Sequence, residues 1–452
     1  MIAIIGGGIS GLAAAYELSV REVPFALFEA SDRLGGLVRT DYVHGFTIES
    51  GADSMLAQKR AALDLCTELG LTPRLISMNT PRTAFVLHRG VLHELPSPSL
   101  LGIPATWKGL ARYSLLPPLA RARMALEPLV PVRKAEDDES VAAFFRRRFG
   151  RASVDVIAQP LLGGIHAGDI ETLSLPALFP RLAEAERSDH KVLRWARQTA
   201  RGRQATGAFQ SLSSGMGELV DAIRRRVPDD SVRLATPVLS MARRDAAWDV
   251  KTPDDIVRCR AVIIACPAHA AVRILAELDP VLAGQCAQVR YVSTVSVALG
   301  WPRAAIAHPL AGSGFVVARA TNSVRITACT WVSSKWEGRA PAGQVLLRAF
   351  LGGAHDPDAV DLPDDELIDT AVRELSAILS IEGSPTLARV SRWRNAGAQH
   401  EVGHAVRMKA LEERLTSYPG LAVTGSGFKT IGIPDCVADG RAVAASICAR
   451  QS

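Results

Sequence analysis

The stretch "MIAIIGGGISGLAAAYEL" (residues 1–18) decides the fold of this 452-residue chain. Its first residues form a short apolar run, which predicts a buried strand, and an alanine-rich helix follows the glycine turn. Gly6, Gly8 and Gly11 have the G-x-G-x-x-G spacing. In that arrangement the first glycine permits a tight turn, the second lets backbone approach a pyrophosphate, and the third lets helix and strand pack closely. The stretch therefore predicts a dinucleotide-binding unit with phosphates at the helix N-terminus.

A second strand supports this prediction. "PFALFEA" (residues 24–30) is an apolar run that ends at Glu29, eighteen positions after Gly11. A carboxylate at this position can accept hydrogen bonds from both ribose hydroxyls of an adenosine. An arginine and a glycine doublet follow in "EASDRLGGLVRT", and they bring further donors and bare backbone to the pyrophosphate side.

Composition limits the class of protein. The chain is 48% hydrophobic, which allows two or three domains, and its formal net charge is +6. The basic runs at residues 146–151 and 224–226 are not interleaved with aromatic residues, so we expect solvated helix faces and no nucleic-acid partner. The seven cysteines contain no CxxC pair. This predicts reduced thiols in a cytoplasmic protein, and neither a disulfide framework nor a metal site.

The glycine doublet and the end of the chain carry a family resemblance. Glu–x3–Arg–x–Gly–Gly resembles the FAD-binding signature of the flavin amine oxidase superfamily, in which the last segment returns to cover the pyrophosphate and the flavin ring. Here that segment is "GSGFKTIGIPDCVADGRAVA" (residues 425–444). The resemblance implies FAD contacts at twenty positions, which are Gly6, Gly8, Ile9, Ser10, Gly11, Glu29, Ala30, Arg33, Gly35, Gly36, Gly51, Ala52, Asp53, Ser54, Val238, Trp393, Gly425, Ile431, Gly432 and Ile433.

A closer resemblance concerns the substrate. "QPLLGGIHAGDIETLSLPALFPRLAEAE" (residues 159–186), "AVIIACPAHAA" and "STVSVALGW" are similar to the protoporphyrinogen oxidase and flavin-dependent coproporphyrinogen III oxidase family. The resemblance implies oxidation of a porphyrinogen to the porphyrin in heme biosynthesis, by successive hydride transfers to FAD with oxygen as acceptor and hydrogen peroxide as product. It also implies a set of substrate-facing residues, namely Leu161, Gly164, His166, Gly314 and Val316.

Two positions depart from the family pattern. Where some members place an arginine for a substrate propionate, this chain has Ala84, and Arg82 on the same strand face is the candidate substitute. The family's Met-Pro-Gln-Tyr run is replaced by a stretch that contains His400. The chemistry rests on FAD, so no catalytic residue is assigned with certainty. His166 is a candidate proton acceptor, but a histidine packed in the pocket wall is the favoured interpretation, and His404 is interpreted in the same way.

The resemblance and the pattern of runs together predict an α/β fold (α+β overall). We expect a discontinuous Rossmann-like FAD-binding domain (residues 1–80, 206–274 and 388–452). An antiparallel-sheet substrate domain is expected at residues 81–96 and 275–387. A helical insertion at residues 97–205 includes a basic amphipathic stretch, residues 101–132, that either lies on an anionic membrane or packs on its own domain.

Alternatives stay open at this point. A carotenoid-type desaturase or another FAD enzyme of the superfamily would share both ends of the chain. The absence of a lysine from "STVSVALGW" weighs against amine oxidation. A porphyrin carrier of low turnover belongs to a different class. A homodimer is compatible with the sequence, as is peripheral contact with the inner face of the membrane.

Overall fold

The computed structural model describes residues 1–134, 137–189, 191–201, 208–429 and 431–449. Helices and strands alternate along the chain, and the expected α/β fold class is confirmed. The strands, in chain order, are β1 (Ile2–Ile5), β2 (Phe25–Phe28), β3 (Thr40–Val43), β4 (Phe46–Glu49), β5 (Met55–Leu56), β6 (Leu75–Ser77), β7 (Ala84–His88), β8 (Val91–Glu94), β9 (Ser99–Leu100), β10 (Ile103–Pro104), β11 (Phe209–Leu212), β12 (Val232–Arg233), β13 (Ser240–Arg244), β14 (Ala247–Lys251), β15 (Ile256–Cys259), β16 (Ala261–Ile264), β17 (Arg290–Pro302), β18 (Gly314–Val317), β19 (Ala328–Trp331), β20 (Gln344–Gly352), β21 (Leu387–Gln399) and β22 (Leu421–Val423).

The α-helices vary from single turns to five turns. They are α1 (Ile9–Val20), α2 (Ala61–Glu68), α3 (Trp107–Ala111), α4 (Pro118–Ala125), α5 (Val141–Phe149), α6 (Arg151–Ser153), α7 (Gly164–His166), α8 (Leu175–Leu178), α9 (Pro180–Asp189), α10 (Val192–Arg201), α11 (Gly217–Arg224), α12 (Ala268–Leu275), α13 (Pro280–Ala287), α14 (Val332–Lys335), α15 (Asp364–Leu379), α16 (His404–Leu415) and α17 (Ile433–Ala449).

A five-stranded parallel sheet gathers distant parts of the chain. Its order is β12–β2–β1–β16–β22, and every neighbouring pair is parallel. The three strands β1, β2 and β16 are fully buried, as expected for a sheet covered on both faces. The strands come from all three segments that the sequence analysis assigned to the FAD-binding domain. The boundary expected between residues 205 and 206 lies outside the described residues.

The first and last long helices pack directly against each other. α1 and α17 lie in one apolar cluster with Leu12 and Val437. The contact is close because α17 carries a glycine where it meets α1, and a Cβ added to Gly440 would lie 2.3 Å from the Ser10 carbonyl oxygen. On its other side α1 packs closely on the turn, since a Cβ added to Gly11 would lie 1.9 Å from the Gly6 carbonyl oxygen. Both ends of the polypeptide therefore meet at the glycine-rich turn.

A seven-stranded sheet forms the second layer, in the order β21–β17–β20–β19–β18–β7–β8. It is antiparallel except for β18 and β7, which run parallel because more than two hundred residues connect them and no hairpin sets their direction. β21 belongs to this sheet, although residues 388–399 were expected in the FAD-binding domain. In the structure the chain leaves the seven-stranded sheet after Gln399. α15 covers one face with Leu367, Ala371 and Leu375, at the spacing of one helix side.

The helical insertion is held by buried charge, and one expectation about it is wrong. The basic run at residues 146–151 was expected on a solvated helix face, but Arg148 is fully buried and pairs with Glu127 and Glu186. Arg147 bonds Glu186 and Glu139 as well. Composition shows the charge of such a run, but it does not show that distant carboxylates come to meet it. The insertion also contains a π-helical segment, Val154–Gly163, which includes Pro160.

Candidate active site

A cradle made of backbone atoms lies at the start of α1. We define the nucleotide cradle as residues 6–11 and 35–36. The two loops are joined because the Gly35 amide donates to the Gly7 carbonyl oxygen at 2.8 Å. No side chain caps α1, and no atom lies within 4 Å of the place that a Cβ of Gly8 would take. The cradle therefore offers free space beside uncapped helix N–H groups, and it contains the predicted cofactor residues Gly6, Gly8, Ile9, Ser10, Gly11, Gly35 and Gly36.

Glu29 lies at the end of β2, beside the cradle. Its Oε2 accepts from the Gly7 amide at 2.6 Å and its Oε1 accepts from the Ser31 amide at 2.9 Å. The Ser31 hydroxyl also donates to Oε1 at 2.7 Å, so Oε2 is the oxygen that keeps a lone pair for a ribose hydroxyl. The Thr236 amide donates to the Glu29 carbonyl oxygen at 2.9 Å, which brings the segment before Val238 close to Glu29 and Ala30.

Trp393 lies against the segment that follows β4. Its Nε1 donates to the Ser50 carbonyl oxygen at 2.8 Å, and a Cβ added to Gly51 would lie 3.4 Å from its ring. The Arg33 guanidinium lies 6.0 Å from the ring centroid. Three predicted cofactor residues that are far apart in sequence, Arg33, Gly51 and Trp393, are thus brought together.

Asp53 was predicted to contact the cofactor with Ala52 and Ser54, but its side chain faces the seven-stranded sheet. Lys335 lies 2.9 Å and Arg348 lies 3.7 Å from its Oδ2. Burial alone would raise the pKa of Asp53, but the two cations outweigh it and hold that pKa well below its usual range. The Ser54 hydroxyl donates to the same carboxylate at 2.7 Å. The Asp53 carboxylate therefore ties the segment after β4 to the seven-stranded sheet and to α14.

The loop at residues 425–428 lies over α1, and two histidines hold it. Gly425 is within 3.7 Å of the Ser10 hydroxyl, measured from an added Cβ. His400 Nε2 donates to the Ser426 carbonyl oxygen at 2.8 Å, and His404 Nε2 donates to the Phe428 carbonyl oxygen at 3.1 Å. A carbonyl oxygen only accepts, so each Nε2 carries the proton. The next predicted residues, Ile431 and Gly432, lead into α17, which begins at Ile433.

The two histidine rings stack with centroids 3.8 Å apart and planes at 10°. Burial, followed by the neighbouring His400, lowers the pKa of His404 to about 3, and burial also lowers the pKa of His400. Both rings are therefore neutral at pH 7. His404 agrees with its interpretation as a packed histidine, but the sequence does not identify the pair as the holder of the C-terminal loop. The i, i+4 spacing and the nearby glycine-rich loop were the available signals.

The predicted substrate residues meet where the helical insertion faces the seven-stranded sheet. Leu161 and Val316 pack in one apolar cluster with Val86. Gly314 is buried on β18 beside Val316. Gly164 is exposed, and no atom lies within 4 Å of a Cβ added there. We call this sheet side, with residues 161–166, the substrate face.

His166 lies at the end of the same loop. Its ring meets Phe179 edge-on at 5.7 Å between centroids, and its carbonyl oxygen accepts from Gln399 Nε2 at 3.0 Å. Burial, with the charge of His400 as the smaller cause, lowers the pKa of His166 to about 4. These contacts favour the packed interpretation over the proton acceptor. Arg82 is exposed before β7, and the strand register pairs Ala84 with Gly314.

The residues present fit FAD. A pyrophosphate needs backbone donors without side chains in front of them, which the cradle provides, and an adenosine ribose needs an acceptor such as Glu29. The individual site assignments stay predictions. No helix in the described part of the chain is long and apolar enough to cross a bilayer.

Comparison with known proteins agrees with this geometry. Residues 9–448 match the family described as flavin containing amine oxidoreductase. The chain is 36% identical to a coproporphyrinogen III oxidase of Bacillus subtilis, over 98% of this chain and 96% of that protein. It is 30% identical to the coproporphyrinogen III oxidase of Staphylococcus aureus, over 99% of each chain. The expected resemblance to this group is confirmed.

A solved structure shares the whole architecture. A protein from Exiguobacterium, assigned as a protoporphyrinogen oxidase, superimposes with a TM-score of 0.90 at 32% identity, over 100% of this chain and 99% of that one. The matched region includes the cradle, both sheets and the helical insertion. The chain thus belongs to the flavin-containing amine oxidoreductase family and is an FAD-dependent oxidoreductase.

Proposed function

We propose that this protein oxidises a porphyrinogen to the porphyrin in heme biosynthesis, with coproporphyrinogen III as the first substrate to test. The observation that carries this proposal is the full-length similarity to coproporphyrinogen III oxidases at 36% and 30% identity. The similarity includes the helical insertion and the loop at residues 161–166, which supports the proposal that this loop faces the substrate. The desaturase and carrier alternatives have no comparable observation in their favour.

The overall reaction removes six hydrogens from a ring with four saturated bridges. Over the three two-electron oxidations the four bridges lose one hydrogen each and the pyrrole nitrogens lose two, and three oxygen molecules become three molecules of hydrogen peroxide. When bound, FAD supplies the two-electron acceptor for these oxidations. Aromatisation drives the proton loss, so a tuned side-chain base is not required.

The chain's own residues position the reactants. The uncapped N-terminus of α1 and Glu29 hold the nucleotide. Trp393 packs where the segment after β4 meets β21, which fixes the second sheet against that segment. The open space at Gly164 admits a broad ring next to Val316. His166 is neutral at pH 7 and lines this space, and its low pKa makes it a poor acceptor for a pyrrole proton.

Anaerobic mixing of the FAD-loaded protein with coproporphyrinogen III tests the proposal. We expect the flavin absorbance to bleach, and readmission of oxygen to restore it with hydrogen peroxide formed. Protoporphyrinogen IX is the comparison substrate. A carrier would bind either compound without bleaching. Full flavin colour in the presence of both porphyrinogens would contradict the proposal, and oxidation without peroxide would contradict oxygen as the acceptor.

We propose peripheral membrane contact through the helical insertion. Leu119 is 86% exposed and Leu129 is 78% exposed, on a part of the chain that also carries the exposed Lys108 and Arg112. Arg123 of the expected basic stretch is used inside the protein, since its guanidinium donates to the carbonyl oxygens of residues 147 and 148. Exposed leucines beside basic residues are typical of interfacial helices.

Sedimentation with anionic vesicles at low salt tests this contact. Leu119→Asp should reduce the bound fraction, whereas Val406→Asp, at an apolar residue on α16 that is 72% exposed, should leave it unchanged. Equal loss in both variants, or no binding of the wild-type protein, would contradict the proposal. A homodimer stays a prediction from sequence, and analytical ultracentrifugation of the holoprotein would decide it.

A further inference from the structure

One face of the seven-stranded sheet carries the substrate residues in two rows. The strand register places Arg348, Thr330 and Gly314 side by side, and the next row on the same face contains Val316 and Val86. Residues of the opposite face pack under α15 instead. The two rows therefore form the floor of the substrate face, and the charges beside them decide which substrate groups can lie there.

Two arginines lie at this floor, and they differ in whether their guanidinium nitrogens have partners in the protein. Arg348 is occupied, because its Nη1 donates to the Gly51 carbonyl oxygen at 2.9 Å and its Nη2 lies 3.7 Å from Asp53. Arg319 begins the 3-10 turn Arg319–Thr321, two residues after β18 ends. Its Nη1 is shielded from solvent, and among the described residues no group accepts a hydrogen bond from it or forms an ion pair with it.

The base of Arg319 is rigid and lies beside the substrate face. The turn packs against the π-helical segment that contains Leu161. Thr321 and Asn322 anchor it to β7, since Thr321 Oγ1 bonds His88 Nδ1 at 2.8 Å and the Asn322 amide donates to the Leu87 carbonyl oxygen at 3.0 Å. Ala318, immediately before Arg319, packs in the same apolar cluster as Leu161.

A shielded guanidinium nitrogen without an acceptor is uncommon in a native protein, because removing a charged donor from water is costly. Arg339 and Arg407 show the ordinary situation, in which only Nε lacks a partner and both terminal nitrogens donate to protein oxygens. Arg319 instead leaves a terminal nitrogen vacant. A carboxylate is the group whose geometry matches the fork of a guanidinium.

The exposed Arg82 lies before the start of β7, the parallel neighbour of β18. Since Ala84 pairs with Gly314, Arg82 is level with Gly312, and Arg319 follows the end of β18. At about 3.3 Å per residue, the seven positions between these two levels span at most roughly 23 Å. Gly314 and Val316 lie between them. A substrate with carboxylates on opposite edges can reach both, whereas one with carboxylates on a single edge can reach only one.

We propose that Arg319 binds a substrate carboxylate and favours a porphyrinogen that bears propionates around its whole ring. This inference rests on the proposed function. Coproporphyrinogen III carries a propionate on each of its four pyrroles, so it presents carboxylates to Arg82 and Arg319 together. Protoporphyrinogen IX carries its two propionates on neighbouring pyrroles, so it can present a carboxylate to Arg82 or to Arg319 but not to both.

The test compares Arg319→Gln with Arg389→Gln, a control at an exposed arginine on β21 of the same sheet. Loss of a charged hydrogen bond should raise KM for coproporphyrinogen III by about tenfold or more, with kcat within about twofold. KM for protoporphyrinogen IX should change less. Arg319→Lys keeps the positive charge but loses the forked pair of donors, so its KM for coproporphyrinogen III should lie between those of the wild-type protein and Arg319→Gln. An unchanged KM for coproporphyrinogen III in Arg319→Gln, at full FAD content, would overturn the inference.

A second measurement needs no variant and covers the case in which Arg319→Gln fails to fold. The wild-type holoprotein is titrated with coproporphyrin III and with its tetramethyl ester, and binding is followed by porphyrin fluorescence. The acid should bind at least about tenfold more tightly, and equal affinity would overturn the inference. Absence of flavin bleaching by any porphyrinogen in the wild-type protein is a different result, which contradicts the proposed function itself.

Discussion

The nucleotide cradle and the substrate face are built from different materials. The cradle consists of backbone atoms, with the Glu29 carboxylate beside it, and all of these residues lie within the first forty of the chain. The substrate face consists of side chains from β18, β19 and β20 and from the loop at residues 161–166, which are far apart in sequence. Glycine spacing therefore specifies the first region, whereas tertiary packing specifies the second.

This difference has a functional consequence. A backbone cradle accepts the same nucleotide in every protein that keeps its glycines, since its donors do not depend on side chains. The substrate face can change with single substitutions, such as Ala84 where some relatives are expected to carry arginine. Cofactor identity is thus conserved by the first region and substrate choice is adjusted by the second.

Gly8→Val should have the largest effect and would test the cradle directly. Space is available at Gly8, so the variant should fold, but the added side chain would occupy the place of the pyrophosphate. We expect FAD affinity to fall by about 100-fold, or about 3 kcal/mol, measured by flavin fluorescence on titration of the apoprotein.

Two glycine controls sharpen this result. Gly284→Ala is also in open space, but on α13, and should retain FAD. Gly11→Ala should lower the melting temperature as well, since its Cβ would lie 1.9 Å from the Gly6 carbonyl oxygen. Full FAD retention by Gly8→Val would show that the pyrophosphate lies elsewhere.

Gly164→Leu tests the substrate face. The residue is exposed and has open space beside it, so the fold and the bound FAD should be retained. A leucine there would fill the space for the ring, and kcat/KM for a porphyrinogen should fall by about 30-fold. Equal turnover in the variant and the wild-type protein would place the ring away from residues 161–166.

Glu29→Gln is expected to have a smaller effect on the cradle. The amide presents a donor to the Gly7 or Ser31 amide, which also donates, so one hydrogen bond is lost and the ribose acceptor is weakened. We expect FAD affinity to fall by about tenfold. Glu94→Gln, on the exposed end of β8, is the control. Unaltered FAD affinity in Glu29→Gln would remove the ribose assignment.

The smallest expected effect concerns the stacked histidines that hold the C-terminal loop over the cradle. The folded-state pKa of His404 is about 3, below its unfolded value of about 6.5. Between these values the unfolded chain binds the proton and the folded one does not, so stability falls as pH falls from 7 to 5. His404→Asn should reduce this loss by a few degrees in melting temperature.

His44→Asn is the matched control for that comparison. His44 is exposed on the β3–β4 turn at φ 49°, a conformation that asparagine tolerates. The melting temperature of the His44→Asn variant should change with pH as that of the wild-type protein does. If His404→Asn keeps the wild-type slope, the stacked pair does not contribute to acid sensitivity.

Much of the fold could be predicted because local patterns specify it. The first strand, the glycine turn, α1 and β2 follow from apolar runs and glycine spacing within thirty residues. α15 follows from apolar residues at i, i+4 spacing with three acids in its first turn. The family resemblance added the return of the C-terminal segment, which no local pattern shows.

The remaining features depend on contacts between residues far apart in sequence. Arg148 is buried because Glu127 and Glu186 come from other turns of the insertion to meet it, which composition cannot show. The Asp53 carboxylate faces Lys335 and Arg348 for the same reason. These residues look like ordinary surface charges in the sequence, and only tertiary structure gives them their partners.

The contact between Gly440 and Ser10 affects how the protein is made. α17 packs on α1, and the loop at residues 425–428 lies over the same turn, so the nucleotide cradle stays uncovered until α17 emerges from the ribosome. Stable cofactor loading therefore waits until more than four hundred residues have been made, and the nascent apoprotein must survive long enough to reach that point. A premature stop codon before α17 would yield a colourless chain, however much of the substrate face it retained.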